Sequence, residues 1–366
     1  MGQWTSTMEN LVNFWKGKRV FITGHTGFKG SWLSLWLQYL KADVIGFSLE
    51  PPTERNLFTE ANVAEGMIDI RGDIRDYNTL YSVLREYQPD IIFHLAAQAL
   101  VRHSYAYPID TYSTNVMGTV HLLEAARHCA TLRVIINVTT DKCYANQEKI
   151  SGYSEIDPLG GSDPYSSSKA CSELITNAYR QSYFQFNSVA LASARAGNVI
   201  GGGDWAKDRL ITDLIATCVE GKKLDIRYPE SVRPWQHVLE CLSGYLCLAK
   251  HLYEKPHDYA EAWNFGPNER DEKSVEWIAR KILTGWGITY QRPVSELVPM
   301  HETRYLTLNC SKAQSKLGWK PRLDINKTIA SVVSWYQDYY QGVHAKTLTL
   351  NQIVKYMANE KIAISL

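Results

Sequence analysis

The sequence lacks the features that mark disulfide-bonded, metal-clustered or membrane-spanning proteins. It has seven cysteines in 366 residues, an odd number with no Cys-x-x-Cys pair, which argues against a disulfide framework or a zinc site. No segment reaches the about 20 apolar residues that a membrane span needs. The first residues also lack a basic region followed by an apolar one. We therefore expect no metal and a location in a reducing cytoplasm.

An excess of charge of either sign is also missing. Lys and Arg number 39 and Asp and Glu number 38, which leaves a net charge of +1 at pH 7. So balanced a chain has no overall basic field for nucleic acid or for an anionic membrane. Apolar residues make up 45% and charged residues 21%, the usage of an ordinary packed domain. We expect a small molecule as the partner, and neither nucleic acid nor a membrane.

What the sequence does contain is a regular alternation of short apolar strands and helices. The run Arg19–Thr23 precedes a glycine-punctuated turn and a helix, and the alternation continues to a strand at Ser188–Ala194. Strands joined through helices form right-handed crossovers and a sheet covered on both faces. The pattern predicts an α/β fold with a doubly wound parallel (Rossmann) sheet. No linker or repeat sets the remainder apart, so we expect a smaller α/β substrate-binding lobe packed against it.

Three glycines follow the first strand and open the first helix. Gly24 permits a tight turn, Gly27 lets backbone amides approach a pyrophosphate, and Gly30 lets the helix pack closely on the sheet. The N-terminus of the helix adds positive potential for an anion. In this context the glycines predict a dinucleotide-binding loop. The alternative is a merely tight turn between strand and helix.

The acidic residue that would bind the adenosine ribose of NAD is missing from its usual place. The second strand ends in the letters GFSLE, so no aspartate stands at its tip and Glu50 comes slightly late. The nearby Arg55 could instead meet the 2′-phosphate of NADP. We expect NAD, and these residues alone leave NADP open.

A tyrosine and a lysine share one face of a later helix. Tyr165 and Lys169 are spaced i, i+4, and a neighbouring cation favours the phenolate, which lowers the tyrosine pKa from about 10 towards neutrality. Such a phenolate is a general base for a hydroxyl proton. Thr140, at the end of a predicted strand, could steady the same substrate oxygen. Without Thr140, the spacing of Tyr165 and Lys169 would indicate no more than two solvated residues.

Together these motifs resemble the extended short-chain dehydrogenase/reductase superfamily over nearly the whole chain. TGHTGFKG is similar to its cofactor loop, GDI to its adenine contact, HLAA to its fourth-strand turn, and Thr140 with Tyr165 and Lys169 to its catalytic set. The resemblance implies NAD as cofactor. It assigns NAD binding to Gly24, Thr26, Gly27, Phe28, Lys29, Gly30, Asp73, Ile74, Leu95, Ala96, Ala97, Tyr165 and Lys169.

The domains are expected to divide near residue 196. Residues 14–196 would form an NAD-binding Rossmann domain, to which 234–265 would return. Residues 197–345 would form a nucleotide-sugar-binding domain, and 346–366 a C-terminal tail. The cleft between the two domains is the expected ligand site.

Within the superfamily, VTTDKCY, RAGNVIGGGDW, SVRPWQHV and LGWKP look most like enzymes that dehydrate CDP-glucose. Related enzymes that act on dTDP-glucose have Thr-Asp-Glu where this chain has Thr140, Asp141 and Lys142. The resemblance implies oxidation at carbon 4, elimination of water across carbons 5 and 6, and hydride return to carbon 6. Tyr165 would take the hydroxyl proton, Asp141 would protonate the leaving hydroxyl, and Lys142 would replace the glutamate as base. Alternatively, Lys142 only forms a salt bridge with Asp141.

The substrate's nucleoside diphosphate calls for basic partners in the second lobe. By resemblance, Arg233 binds phosphate, Asn198 contacts the sugar nucleotide, and Arg209 with Leu210 contacts the nucleotide. Tyr305 and His301 are weaker candidates. The resemblance also implies a homodimer through the helices 115–128 and 165–183, and a part in deoxysugar synthesis for lipopolysaccharide O-antigen.

Two other functions stay open on the residues alone. One is a nucleotide-sugar 4-epimerase, which would not need Asp141 and Lys142 as acid and base. The other is a dinucleotide-binding sensor without chemistry, which would be expected to lose Tyr165 or Lys169.

Overall fold

The computed structural model describes residues 12–221, 224, 226, 228–291 and 304–358. Seven of the strands in these residues form one sheet, in the order β10-β6-β5-β4-β1-β2-β3, and every pair in it is parallel. The predicted doubly wound parallel sheet is confirmed. The strands are β1 (Arg19–Thr23), β2 (Asp43–Ser48), β3 (Ile68–Arg71), β4 (Ile91–His94), β5 (Val134–Val138), β6 (Ala190–Ala196), β7 (Val199–Ile200), β8 (Val232–Arg233), β9 (Gln236–His237), β10 (Ala262–Phe265) and β11 (Lys273–Ser274).

Helices cover both faces of this sheet. They are α1 (Phe28–Tyr39), α2 (Leu57–Glu60), α3 (Tyr77–Tyr87), α4 (Val101–Ala106), α5 (Pro108–Tyr112), α6 (Gly118–Ala126), α7 (Pro164–Tyr179), α8 (Leu210–Glu220), α9 (Val238–Glu254), α10 (Pro256–Tyr259), α11 (Val275–Gly285), α12 (Ser311–Lys316), α13 (Ile325–Tyr340) and α14 (Ala345–Ala358). Short 3-10 turns lie at Val63–Gly66, Asp141–Cys143 and Glu269–Asp271, and π-helical turns at Ser113–Met117 and Arg180–Phe184.

The strands are apolar on both faces because each face has its own core. Along β1, Val20 and Ile22 contribute to one buried cluster and Phe21 to the other. Successive side chains of a strand point to opposite faces, so neither face meets solvent. Burial on both sides explains why these strands appear as continuous apolar runs and not as alternating ones.

The chain leaves the sheet after β6 and returns to it. Between β6 and β10 lie three short strands, which form two small ladders: β7 pairs with β9, and β8 pairs with β11, which follows β10. β10 then pairs with the outer side of β6. Beyond residue 345, where we expected a tail, α14 is a helix with Met357 and Tyr356 buried. The indole nitrogen of Trp36 on α1 donates to the sulfur of Met357 over 3.2 Å, which ties α14 to the first helix of the sheet.

No helix in the described part of the chain is long and apolar enough to cross a membrane. Across the same residues, no cluster of three or more His, Cys, Asp or Glu side chains could hold a metal ion.

Candidate active site

The glycine loop after β1 is shaped by close backbone contacts. Gly24 has φ +77, and a Cβ there would lie 2.7 Å from the backbone nitrogen of Ala96. A Cβ on Gly30 would collide with the carbonyl oxygen of Gly24. Gly27 differs, because its Cβ would meet nothing closer than 3.4 Å. Gly27 precedes the first residue of α1, so the protein leaves the space at this helix N-terminus open. An approaching pyrophosphate fits this arrangement.

The loop is anchored to the tip of β2. The hydroxyl of Thr26 lies 2.8 Å from that of Ser48 and donates to the carbonyl of Leu49 over 3.0 Å. Glu50 is 77% exposed, with its carboxylate 3.5 Å from the guanidinium of Arg71. Arg55, which could have met a 2′-phosphate, donates to the hydroxyl of Tyr340 over 3.3 Å.

The residues assigned to the adenine and to the fourth strand line the same edge of the sheet. The carboxylate of Asp73 binds Arg75 at 2.6 Å; burial raises the pKa of Asp73, but the bonds with Arg75 outweigh this and hold it below its usual range. Ile74 is buried. The amides of Leu95 and Ala96 donate to the carbonyl and the hydroxyl of Thr23, over 3.1 and 3.2 Å. Phe28 begins α1 on this edge, and Ala97 follows Ala96 in the loop.

The end of β5 carries a short turn that presents three of the candidate catalytic residues. Thr140 is extended, and its hydroxyl accepts from the amide of Lys142 over 3.3 Å, which starts the 3-10 turn. The same hydroxyl donates to Oδ1 of Asp141 over 2.9 Å. Nζ of Lys142 lies 3.3 Å from this oxygen. We refer to these residues as the 140–143 turn.

The helix α7 brings Tyr165 and Lys169 to this turn. Asp163 caps the helix by accepting from the amide of Ser166 over 2.9 Å, and Pro164 takes the first helical position. Tyr165 therefore lies in the first turn, where its hydroxyl bonds to Thr140. Tyr165 and Asp141 are thus joined through the hydroxyl of Thr140.

The pKa of Tyr165 moves in the opposite direction to our expectation. Burial disfavours the phenolate and raises the pKa of Tyr165 to about 12, although the contact with the hydroxyl of Thr140 opposes this. Burial also lowers the pKa of Lys169 to about 8, helped by the charge of Lys29. The prediction of a near-neutral tyrosine was wrong because it weighed the cation and neglected the loss of water, which is the larger effect at a buried phenol.

Asp141 is the most enclosed member of this set. Its side chain has no exposure, and its Oδ2 has no hydrogen-bond partner among the described residues. A Cβ on Gly197 would collide with that oxygen and lie 2.9 Å from Cγ of Pro234. Lys142 is 31% exposed. Lys29, assigned from the cofactor loop, lies near this cluster, since the charges of Arg209, Asp141 and Lys142 act on it. Burial lowers the pKa of Lys29.

Two of the predicted substrate residues lie near these groups: Asn198 follows Gly197, and Arg209 is close enough to Tyr165 for their charges to interact. Asn198 has φ +33, and its side-chain oxygen is buried without a hydrogen-bond partner in the part of the chain that is described. Arg209 caps α8, just before Leu210, and its guanidinium binds Asp204 at 2.6 Å. The charge of Asp204 raises the pKa of Arg209, and Tyr165 contributes to the same shift.

The fold brings the segments that carry Arg233 and Tyr305 next to each other. Arg233 is buried, and its Nη1 donates to the carbonyls of Val232 and Arg304 over 2.8 and 3.4 Å. Tyr305 forms an isolated β-bridge with Val232, the residue that precedes Arg233. His301 lies outside the described residues.

Sequence reasoning missed a buried ion pair beside the catalytic candidates. Glu173 and Arg195 bind each other at 2.8 Å. The one available signal was the position of Glu173, four residues after Lys169 on the same helix. That spacing places both side chains on one face.

The chain is similar over most of its length to known nucleotide-sugar dehydratases. The CDP-glucose 4,6-dehydratase of Salmonella typhimurium is 49% identical over 351 residues, which cover 94% of this chain and 98% of that protein. The dTDP-glucose 4,6-dehydratase of Haemophilus influenzae is 28% identical and covers 87% of this chain and 97% of its own.

Solved structures share the fold. The crystal structure of dTDP-glucose 4,6-dehydratase from Bacillus anthracis in complex with NAD has a TM-score of 0.74 and 26% identity, covering 91% of this chain and all of that one. A UDP-glucose 4-epimerase from Thermotoga maritima, with a TM-score of 0.75 and 20% identity, covers 88% and 99%. The profile described as GDP-mannose 4,6 dehydratase matches residues 21–332, and the chain belongs to this family.

Proposed function

We propose that the protein is an NAD-dependent hydro-lyase that converts CDP-glucose to CDP-4-keto-6-deoxyglucose and water. One observation carries this proposal: Asp141 and Lys142 lie on the turn whose threonine bonds to Tyr165. An acid and a base are therefore available beside the residues that would handle the carbon 4 hydroxyl. The 49% identity to a CDP-glucose 4,6-dehydratase supports the choice of substrate.

The glycine loop, with Thr26, Asp73 and the turn after β4, would hold NAD. The open space at Gly27 fits its pyrophosphate, whereas the tight contacts at Gly24 and Gly30 keep the loop in shape. When bound, NAD accepts a hydride from carbon 4 and returns it to carbon 6. A related dTDP-glucose dehydratase was crystallised with this cofactor.

The chain's own residues then divide the proton transfers. Tyr165, steadied by Thr140, takes the proton of the carbon 4 hydroxyl, and the charge of Lys169 favours the phenolate that forms. Because burial sets the tyrosine pKa at about 12, Tyr165 must first pass its own proton on, and the bonded chain to Asp141 offers a route.

Elimination falls to the 140–143 turn. Asp141, enclosed away from water, would deliver a proton to the departing hydroxyl on carbon 6. Lys142, in its neutral form, would remove the proton from carbon 5 after the ketone has acidified it. The 3.3 Å contact between Lys142 and Asp141 is an ion pair in this state. Asp141 would receive its proton from Tyr165, whereas Lys142 would first release its own to solvent and would later return a proton to carbon 5 as hydride reaches carbon 6.

The nucleotide sugar would lie against the segment 197–345, the substrate-binding domain of the proposal. Arg233 and Arg209 would neutralise the diphosphate, with Asn198, Leu210 and Tyr305 around the sugar and nucleoside. The segment 14–196, joined by 234–265, would form the NAD-binding domain. The position of β10 beside β6 supports the return of the chain.

Incubation with CDP-glucose and NAD in deuterated water tests the function. Sugar NMR should show deuterium at carbon 5 and a new methyl group at carbon 6. Recovery of CDP-galactose would instead identify a 4-epimerase, the second candidate, and unchanged sugar would leave only a binding role. Either of these outcomes contradicts the dehydratase.

We also propose a homodimer through α6 and α7, with the π-helical turns before α6 and after α7. Met117, Leu174 and Tyr183 are exposed there, Leu174 at 58%, and exposed apolar side chains grouped on adjacent helices are typical of an interface. Light scattering should give twice the chain mass, and Leu174→Lys should yield the monomer. A reducing cytoplasm fits the seven free cysteines.

A further inference from the structure

The ion pair of Glu173 and Arg195 is buried beside the proposed catalytic residues. The two side chains are only 3% and 4% exposed, and Oε2 of Glu173 lies 2.8 Å from Nη2 of Arg195. Burying two charges is costly, and apolar residues of similar volume usually stabilise a core at least as well. The pair is therefore poorly explained by stability alone, and its other contacts indicate what it does.

Glu173 holds the residue that precedes the 140–143 turn. Its carboxylate accepts from the hydroxyls of Thr139 and Ser193, the latter over 2.7 Å. The amide of Thr139 donates to the carbonyl of Ala194 over 2.9 Å, so the backbone is extended here. Successive side chains of an extended chain point to opposite sides. Holding the side chain of Thr139 against Glu173 therefore directs that of Thr140 away from it, towards Tyr165.

Arg195 holds the residue that follows the turn. Its Nη1 donates to the hydroxyl of Tyr144 over 2.8 Å and to the carbonyl of Glu155 over 3.3 Å. The hydroxyl of Tyr144 donates in turn to Asn264 on β10 over 2.7 Å. Hydrogen bonds and the ion pair thus join Thr139 through Glu173 and Arg195 to Tyr144. The 140–143 turn connects Thr139 to Tyr144 along the chain and completes a ring.

We propose that Glu173 and Arg195 are positioning residues that hold the 140–143 turn against Tyr165. The expected loss of turnover rests on the proposed function, whereas the expected opening of the turn rests on geometry alone. Glu173 has a further effect on the site: its charge raises the pKa of Lys169 and so opposes burial and Lys29, which lower it.

A double variant, Glu173→Gln with Arg195→Met, tests the structural part. It keeps the side-chain volumes, removes both buried charges and cuts the connection from Glu173 to Tyr144. Cys143, in the turn itself, has no exposure, so its alkylation by iodoacetamide, followed by mass spectrometry of the full chain, reports opening of the turn. We expect alkylation to be faster by about tenfold or more. Alkylation of Cys143 at the wild-type rate would overturn the proposal.

Cys129 serves as the internal control. It is buried in the core on the other face of the sheet, so its alkylation should not change in a variant that has folded. If Cys129 also reacts faster, the single variant Tyr144→Phe takes the place of the double one, because it keeps the ion pair and removes only the hydroxyl through which Arg195 holds the residue after the turn.

The catalytic arm uses CDP-glucose and NAD. In the double variant, kcat should fall roughly 10- to 100-fold, the effect of a small misplacement of reacting groups. KM should stay near the wild-type value, because Arg209 and Arg233 are untouched. The alkaline limb of the kcat profile should move to lower pH, because Lys169 has lost the charge that helps it keep its proton. A purely structural pair would not move that limb.

Glu240→Gln is the matched control, because Glu240 is an equally buried carboxylate that binds the amides of Arg322 and Leu323 instead of the turn. This variant should keep the wild-type kcat. A double variant with wild-type kcat and pH profile overturns the proposal. A wild-type enzyme that is inert with CDP-glucose contradicts only the proposed function, and the alkylation of Cys143 then decides the present inference.

Discussion

The two halves of the site are held in place by different forces. The glycine loop is held by its backbone: the amide of Gly24 donates to the carbonyl of Phe47 over 3.0 Å, and Leu95 donates to Thr23. The 140–143 turn is held by side chains that are buried and charged, chiefly Glu173 and Arg195. Damage to the loop should therefore cost stability and cofactor binding together, whereas damage at the turn should cost chemistry first.

The largest effect is expected from Tyr165→Phe, which removes only one hydroxyl. Loss of a general acid–base group costs roughly 10²- to 10⁴-fold in kcat, while the lost bond to Thr140 costs only about 1 kcal/mol of unfolding free energy. Turnover by NMR and urea unfolding measure the two quantities. Tyr245→Phe, a buried tyrosine on α9, should leave turnover unchanged.

A variant that lost more stability than turnover would contradict the distinction between the two halves of the site. If Tyr165→Phe kept its turnover but lost much of its stability, the hydroxyl would belong to the packing of the protein and not to its chemistry.

Lys142→Ala should separate the steps within the turn. The carbon 4 hydroxyl meets Tyr165 and not Lys142, so oxidation should proceed, but elimination should fall by roughly 10²-fold or more without its base. Deuterium uptake at carbon 5 and methyl formation, followed by NMR, report elimination. Dehydration at the wild-type rate would leave Lys142 as no more than the ion-pair partner of Asp141.

Gly24→Ala tests the backbone-held half. A side chain at φ +77 is strained, and its Cβ would press on the backbone of Ala96; left-handed strain of about 1–2 kcal/mol and overpacking of about 1–3 kcal/mol should both be felt. Urea unfolding should show their sum, and NAD titration a loss of binding. Gly221→Ala, at φ +65 with nothing within 4 Å, should show the strain alone. Equal losses in the two variants would mean that the loop is not closely packed.

The same difference explains what could be predicted from the sequence. A loop held by backbone contacts requires glycine at fixed spacing, so Gly24, Gly27 and Gly30 were readable as a group, and the apolar runs before and after them revealed the sheet. Thr140, Tyr165 and Lys169 could be found because a helical spacing and a strand end place them together.

The ring around the turn could not be found in this way. Glu173 lies 34 residues after Thr139 and Arg195 lies 51 residues after Tyr144, and each is an ordinary residue until the fold joins them. The pKa of Tyr165 failed for a related reason: a neighbouring cation is visible in a sequence, but the depth of burial that raises the pKa is a property of the packed structure. The helix α14 was likewise missed, because its contact with α1, at the other end of the chain, exists only in the folded structure.

The smallest effect is expected on the pH dependence of stability, from a buried carboxylate outside both the glycine loop and the 140–143 turn. Glu240 on α9 accepts from the amide of Leu323 over 2.7 Å and from the hydroxyl of Tyr356 over 2.8 Å, and so joins α9 to α14. Burial raises its pKa from 4.5 to about 7, although the bonds from Leu323 and Tyr356 oppose this. Because the folded pKa lies above the unfolded one, the protonated carboxyl contributes stability that is fully present below pH 4.5 and is lost as the pH rises through 7.

Glu240→Gln should remove this dependence, because an amide can accept from Leu323 and donate towards Tyr356 without titrating. At pH 5 the variant and the wild type should unfold at similar urea concentrations. At pH 8 the wild type should have lost up to about 3 kcal/mol that the variant keeps. If both proteins lose stability equally between these pH values, the carboxyl of Glu240 is already ionised in the fold at pH 5 and accepts from Leu323 and Tyr356 as a carboxylate.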